Sequence, residues 1–136
     1  MKDKELKEQV SKWVELAEED FRLAKFAFKM KSNIPYRLIC YHAQQTAEKY
    51  IKGFLVSELI DFPYTHSIEA LLKLTPKETG LQEFIEELSE LTNYAVAKRY
   101  PGDYNKLTKK NAEDAVNKSS KVRKAIRDIL KVKDLL

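Results

Sequence analysis

Four side chains in the string Tyr41-His42-Ala43-Gln44-Gln45-Thr46-Ala47-Glu48-Lys49-Tyr50-Ile51-Lys52 have types and spacing that could do chemistry together. On a helix that turns about 100° per residue, Lys49 falls about 20° from His42, Gln45 about 60° and Lys52 about 80°. An imidazole, an amide and two ammonium groups then share one stripe. The imidazole can hydrogen-bond a base or a phosphate, and the lysines can pair with phosphate oxygens. The plainer alternative is an interface histidine beside surface ion pairs, which contribute little. A second cationic element is Arg99-Tyr100-Pro101, with Tyr94 before it and Tyr104 after it. A guanidinium among tyrosines suits bidentate recognition of a phosphate with a base stacked alongside. Its structural alternative is an arginine that bridges two helices.

The elements that carry these residues are helical. Leu6, Val10, Trp13, Ala17, Phe21, Ala24 and Phe28 recur at three- and four-residue spacing, which predicts a first helix over about 4–31. Asn33 is expected to cap a second helix over about 35–59, with Pro35 in its first turn. Ile39, Cys40, Ala43, Ala47, Tyr50, Ile51 and Phe54 form its core arc, while Leu38, Tyr41, Val56 and Leu59 fall on or beside the polar stripe. Gln44 lands on the core arc, so its amide must find partners on another helix or subunit. Ser67 can cap a short helix, and His66 before it is expected to brace its loop against the second helix. Thr79 with Gln82 fits a capping box for a third long helix that fades near Ala97. Thr108 is expected to cap the last one. The economical arrangement is a single all-α domain over residues 1–136, an antiparallel up-and-down bundle of four main helices and one short one.

Composition agrees and excludes several classes. With only 3 Gly and 4 Pro, the chain lacks the turns an all-β fold needs. The lone Cys40 cannot form an intrachain disulfide and reads as a small core residue. No apolar run approaches the roughly 18 residues of a membrane span, and the charged first residues do not resemble a signal peptide. A cytoplasmic protein without a membrane role is expected. Net charge is +2 over residues 1–60, −5 over 61–97 and +7 over 98–136. The basic last segment suggests an anionic partner such as a nucleotide, RNA or an acidic protein, against the alternative of a solvated lysine-rich face.

Several chemistries have no residues to carry them. A di-iron bundle needs Glu-x-x-His pairs, but Ile39 and Pro63 stand three residues before His42 and His66. There is no His-Glu-x-x-His motif and no Gly-rich phosphate loop, since Gly53, Gly80 and Gly102 are isolated. No metal or other cofactor is expected.

The remaining motifs carry a resemblance. They are Glu19-Asp20-Phe21 followed by Ala24, then His42-Ala43-Gln44-Gln45-x-Ala47-Glu48-Lys49-x-x-Lys52, then Thr65-His66-Ser67 and Arg99-Tyr100-Pro101. In this order they resemble the HEPN domain, the nucleotide-binding domain of higher eukaryotes and prokaryotes, over about residues 10–130. The resemblance implies a helical bundle that dimerises. It also implies a minimal nucleotidyltransferase as partner in a two-component, toxin–antitoxin-like system. Several branches of that family are metal-independent ribonucleases with four to six residues between an Arg and a following His. Here Arg99 is followed at those places by Tyr104, Asn105 and Lys106. A phenol with a pKa near 10 is a poor general base at neutral pH. The expectation is therefore a module that binds and does not cut. Its candidate ligand residues are His42, Gln45, Lys49, Lys52, Arg99, Tyr100 and Tyr104, supported by Gln44 and His66. A ribonuclease using Arg99 with a non-His partner and a purely structural homodimer are the alternatives.

Overall fold

In the computed structural model, residues 3–93 and 106–136 are described. Helix α1 spans Asp3–Ala27, α2 Tyr36–Ser57, α3 Ile68–Lys73, α4 Ile85–Leu88 and α5 Lys109–Val132. Three short 3₁₀ turns, Lys77–Thr79, Leu81–Phe84 and Ser89–Leu91, link α3 to α4 and follow it. Among the described residues there is no strand, so the all-α bundle is the fold.

The central element is α2, packed by α1 on one side and α5 on another. Its apolar arc from Ile39 to Phe54 is wholly removed from solvent. It meets Val10, Val14, Ala17 and Ala24 of α1, and Ala112, Ala115, Val122 and Ile126 of α5. Gly53 lets α1 approach closely: a Cβ there would lie 3.0 Å from Trp13 Cβ. The Cys40 thiol sits in this core, and burial pushes its pKa up to about 11, which leaves it inert as a nucleophile.

Local signals account for some boundaries. Thr108 caps α5 in a reciprocal box, accepting from Asn111 N at 3.2 Å while Asn111 Oδ1 accepts from Thr108 N at 2.9 Å. Ser67 Oγ caps α3 by accepting from Ala70 N at 3.1 Å. Two expected caps do not form. Asn33 takes a left-handed φ of 52° and so turns the α1–α2 loop, and Pro35 becomes the residue that precedes α2. Gln82 donates to Thr75 O at 2.7 Å and not back to Thr79, so it ties the loop to the end of α3.

The third long helix also differs in its described part, which breaks into alternating 3₁₀ and α turns. Leu81, Phe84, Ile85, Leu88 and Leu91 fall at i, i+3, i+4, i+7 and i+10, the spacing of an α-helical face. The side-chain spacing does not account for the 3₁₀ turns at Leu81–Phe84 and Ser89–Leu91; of these residues Leu81, Leu88 and Leu91 are the ones buried.

The charge imbalance along the sequence closes within the fold. Lys118 reaches Glu90 at 3.3 Å, Lys121 reaches Glu87 at 2.8 Å, and Arg123 reaches Glu18 at 2.6 Å. Lys133 pairs with Glu58. Much of the basic helix thus faces the acidic stretch before it and the outer side of α1. Such exposed pairs stabilise by only about 0–1 kcal/mol each, but they lower the charge left for an outside anion.

Candidate functional site

The polar stripe of α2 becomes two clusters, each centred on a carboxylate. The first is Asp20 of α1. Its Oδ1 lies 2.7 Å from His42 Nδ1, and its Oδ2 accepts from Lys49 Nζ at 2.6 Å. A carboxylate only accepts, so Nδ1 donates and Nε2 is the ring nitrogen left without that partner. His42 and Lys49 keep about a quarter of their side-chain surface open (23% each) and Asp20 keeps 12%. The Tyr41 ring stands edge-on to the imidazole, with centroids 5.2 Å apart.

The second cluster is deeper and is centred on Glu48. Its Oε1 accepts from Gln44 Nε2 at 2.9 Å and contacts His66 Nδ1 at 3.0 Å. Its Oε2 accepts from Lys52 Nζ at 3.0 Å. Gln45 Nε2 donates to Gln44 Oε1 at 2.6 Å, which extends the network by one amide. Burial opposes a charge on Glu48, but hydrogen bonds from Gln44, Lys52 and His66 outweigh it and hold the carboxyl below its ordinary value. Lys52 is only 6% exposed. Its ammonium lies 5.8 Å from the ring centres of both Trp13 and Phe62, which meet edge to face.

Gln44 therefore satisfies its amide chiefly within its own helix, with a longer contact of 3.4 Å to His66 O. His66 does brace its loop against α2, through Glu48. His42, Gln45, Lys49 and Lys52 are together on one side of α2, as the periodicity implies. Arg99, Tyr100 and Tyr104 lie outside the described residues.

Two residues central to this arrangement, Asp20 and Glu48, belong to the sequence motifs but not to the candidate ligand residues. Asp20 lies on a face of α1 adjoining Trp13, about 20° away, and so could have been placed against α2. Glu48 is four residues from both Gln44 and Lys52, the spacing at which helical side chains meet.

The chemistry follows from the charges. Asp20 and Glu48 offset Lys49 and Lys52 one for one. The imidazole Nε2 and the flanking Tyr41, both on partly exposed residues, remain to meet a partner group. Among the described residues, no three His, Cys, Asp or Glu side chains gather as a metal site. No described helix is long and apolar enough to cross a membrane.

A third carboxylate anchors α1 to α5. Glu18 accepts from Arg123 Nε at 2.7 Å and Nη2 at 2.6 Å, and from Arg127 Nη1 at 3.3 Å. The Arg123 hydrogen bond holds the Glu18 carboxyl below its ordinary value. Arg127 also donates to the buried Tyr50 hydroxyl at 3.1 Å, and burial pushes that phenol up to about 12.

Comparison with known proteins is consistent with this geometry. An archaeal HEPN homologue, ST0689, is similar in crystal structure with 27% identity. The match covers 90% of this chain and 98% of that one, with a TM-score of 0.71. The crystal structure of TT1696 from Thermus thermophilus shares the fold, with 24% identity over 88% of this chain and 97% of that one and a TM-score of 0.76. Comparison with curated proteins gives no match. The HEPN domain itself matches residues 10–129, nearly the whole length, and the chain belongs to the HEPN domain family.

Proposed function

We propose that the chain is a non-catalytic HEPN module that works by assembly, and that the outer face of α2 meets a second copy of itself. The observation that carries this reading is the charge balance of the stripe. A two-fold contact places identical groups near one another, so a net cationic face would repel its twin. Here Lys49 and Lys52 are matched by Asp20 and Glu48. What the face offers is the partly exposed Tyr41 and His42 rings and the exposed Leu38 and Leu59 at its two ends. Apolar ends around a hydrogen-bonding centre suit a protein interface with a fixed register. The same balance argues against His42, Lys49 and Lys52 as a grip for a free phosphate.

The absence of a His separated from Arg99 by four to six residues supports assembly over RNA cleavage. Membership of the family adds the other half of the reading: a minimal nucleotidyltransferase as the second protein of a two-component system. Sedimentation velocity tests the self-association. The native chain should sediment as a dimer, and Leu38→Glu should shift it to monomer with its helical spectrum intact. A monomeric native protein, or a dimer indifferent to Leu38→Glu, rejects this face.

A further inference from the structure

A different face of the bundle is open for a different partner. Leu16, Leu23 and Phe26 lie along the outer side of α1 at spacings of seven and three residues, and all three are exposed, Phe26 at 67%. The exposed Met30 follows in the turn that closes the helix, where its N–H donates to Ala27 O at 3.2 Å. Leu16 and Leu23 lie about 40° and 60° round α1 from Asp20 and Phe26 about 120°, so the seam starts beside the edge that meets α2 and runs away from it. Large apolar side chains at such spacing on one helix form the kind of stripe that normally packs against another helix. Among the described residues nothing covers it.

The edge of the seam is basic. Arg22, Lys25 and Lys29 follow Phe26 and Leu23 on the side toward α5, and with Arg123 they border an open groove of about 750 Å³. Arg123 is engaged by Glu18. Lys25 and Arg123 lie over the Phe21 ring, 5.0 and 4.6 Å from its centre, and close the groove floor. The apolar surface left for a partner is thus the lip formed by Leu23 and Phe26, and the charge left is mainly that of Arg22, Lys25 and Lys29.

We propose that this seam docks an amphipathic helix of another protein, one whose apolar stripe is flanked by Asp or Glu. The helix would lie along α1 with its apolar residues on Leu16, Leu23 and Phe26, and its carboxylates toward Arg22, Lys25 and Lys29. A second copy of this chain can offer its own α1, but there Arg22, Lys25 and Lys29 of the two copies repeat the same basic edge. Its most acidic stretch, with Glu83, Glu86, Glu87 and Glu90, buries its Leu81, Leu88 and Leu91 in the core. A single strand of nucleic acid fits less well. It would use one ring for stacking and leave Leu16 and Leu23 uncovered.

The test uses fluorescence anisotropy with the full chain and three labelled probes. One is a synthetic amphipathic helix with Leu at i, i+3 and i+7 flanked by Glu, the second has Lys in place of each Glu, and the third is an oligouridylate. The acidic helix should bind and the basic helix should not. Phe26→Ala should weaken binding about tenfold or more, as expected for an anchor residue. Arg22→Gln with Lys29→Gln should weaken it and flatten its salt dependence. Because these side chains are at the surface, the variants should keep the native circular dichroism and the native sedimentation coefficient. Equal binding of the acidic and basic helices, no binding of the acidic helix, or indifference to Phe26→Ala would overturn the proposal. So would binding of the oligouridylate alone. A change of native mass on Phe26→Ala would instead identify a second copy as the occupant, and would also overturn it.

Discussion

Replacing Glu48 by Gln should be among the most damaging single changes of a polar residue in this chain. The carboxylate is 2% exposed and serves Gln44, His66 and Lys52 at once. A Gln at this place keeps one acceptor oxygen and turns an NH₂ toward a donor, so at least one contact becomes donor against donor. The larger effect falls on Lys52, whose ammonium is 6% exposed and would lose its only carboxylate partner within 4 Å among the described residues. Removing one member of a buried ion pair costs about 3–5 kcal/mol, because an uncompensated charge is left behind. The Trp13 and Phe62 rings, each 5.8 Å from that ammonium, return a part of this. We therefore expect Glu48→Gln to lose about 3 kcal/mol, a sizeable share of the roughly 5–15 kcal/mol that stabilises a domain. Lys52→Met should cost less, because Glu48 keeps Gln44 and His66. The double variant should recover about 2 kcal/mol relative to the sum of the single changes, a coupling of the size expected for contacting residues. Urea unfolding followed by far-ultraviolet circular dichroism measures all four corners, at one fixed protein concentration because self-association adds to apparent stability. Additive single changes, or a Glu48→Gln loss below about 1 kcal/mol, would refute the buried pair as a structural hub.

Acid should unfold the protein by a defined route. Glu48 and Glu18 both titrate below the ordinary 4.5 in the folded chain. A depressed folded value means the native carboxylate resists protonation better than the unfolded one. Its contribution is complete above pH 4.5 and is lost as pH falls through the folded values. Stability against pH should therefore fall below 4.5, and Glu48→Gln should flatten that fall in a urea titration repeated across pH. Gly53→Ala should destabilise by about 1–3 kcal/mol despite the better helix propensity of Ala. The added methyl meets Trp13 Cβ at 3.0 Å, an atom fixed to the α1 backbone, so the helices must part. Leu59→Gly should act in two directions. Leu59 has a left-handed φ of 58° where α2 closes through Ile60 N donating to Leu55 O at 2.9 Å, so Gly should stabilise the monomer by about 1 kcal/mol. The same change should weaken the dimer by removing an exposed apolar end of the α2 face, which sedimentation equilibrium would read separately.

Periodicity makes much of α2 legible before its surroundings are known. Residues spaced for one face, from Ile39 to Phe54, are the ones wholly buried. A polar residue on that arc, Gln44, is satisfied by partners as burial requires. Ser67 and Thr108 mark helix starts because a hydroxyl before a helix has one strong local use. The partners of the stripe are harder to read, because they are distant along the chain. Lys49 is 29 residues from Asp20, and helical angle alone does not say that a cation ends on a carboxylate. Lys52 reads as a surface cation because its cover comes from Trp13 of α1 and Phe62 of the following loop. The third helix departs from expectation. Its apolar residues at 81, 84, 85, 88 and 91 carry an α-helical spacing, so periodicity alone does not mark the 3₁₀ turns.

The central claim is that the outer face of α2, with its charges already matched, is where two copies meet. An isotope-filtered nuclear Overhauser experiment on an equal mixture of ¹³C-labelled and unlabelled chain tests it residue by residue. Methyl groups of Leu38, Val56 and Leu59 should show contacts to protons of the unlabelled partner, and those contacts should vanish in Leu38→Glu. Intermolecular contacts that arise only from another face, or none at concentrations where the protein sediments as a dimer, would contradict it.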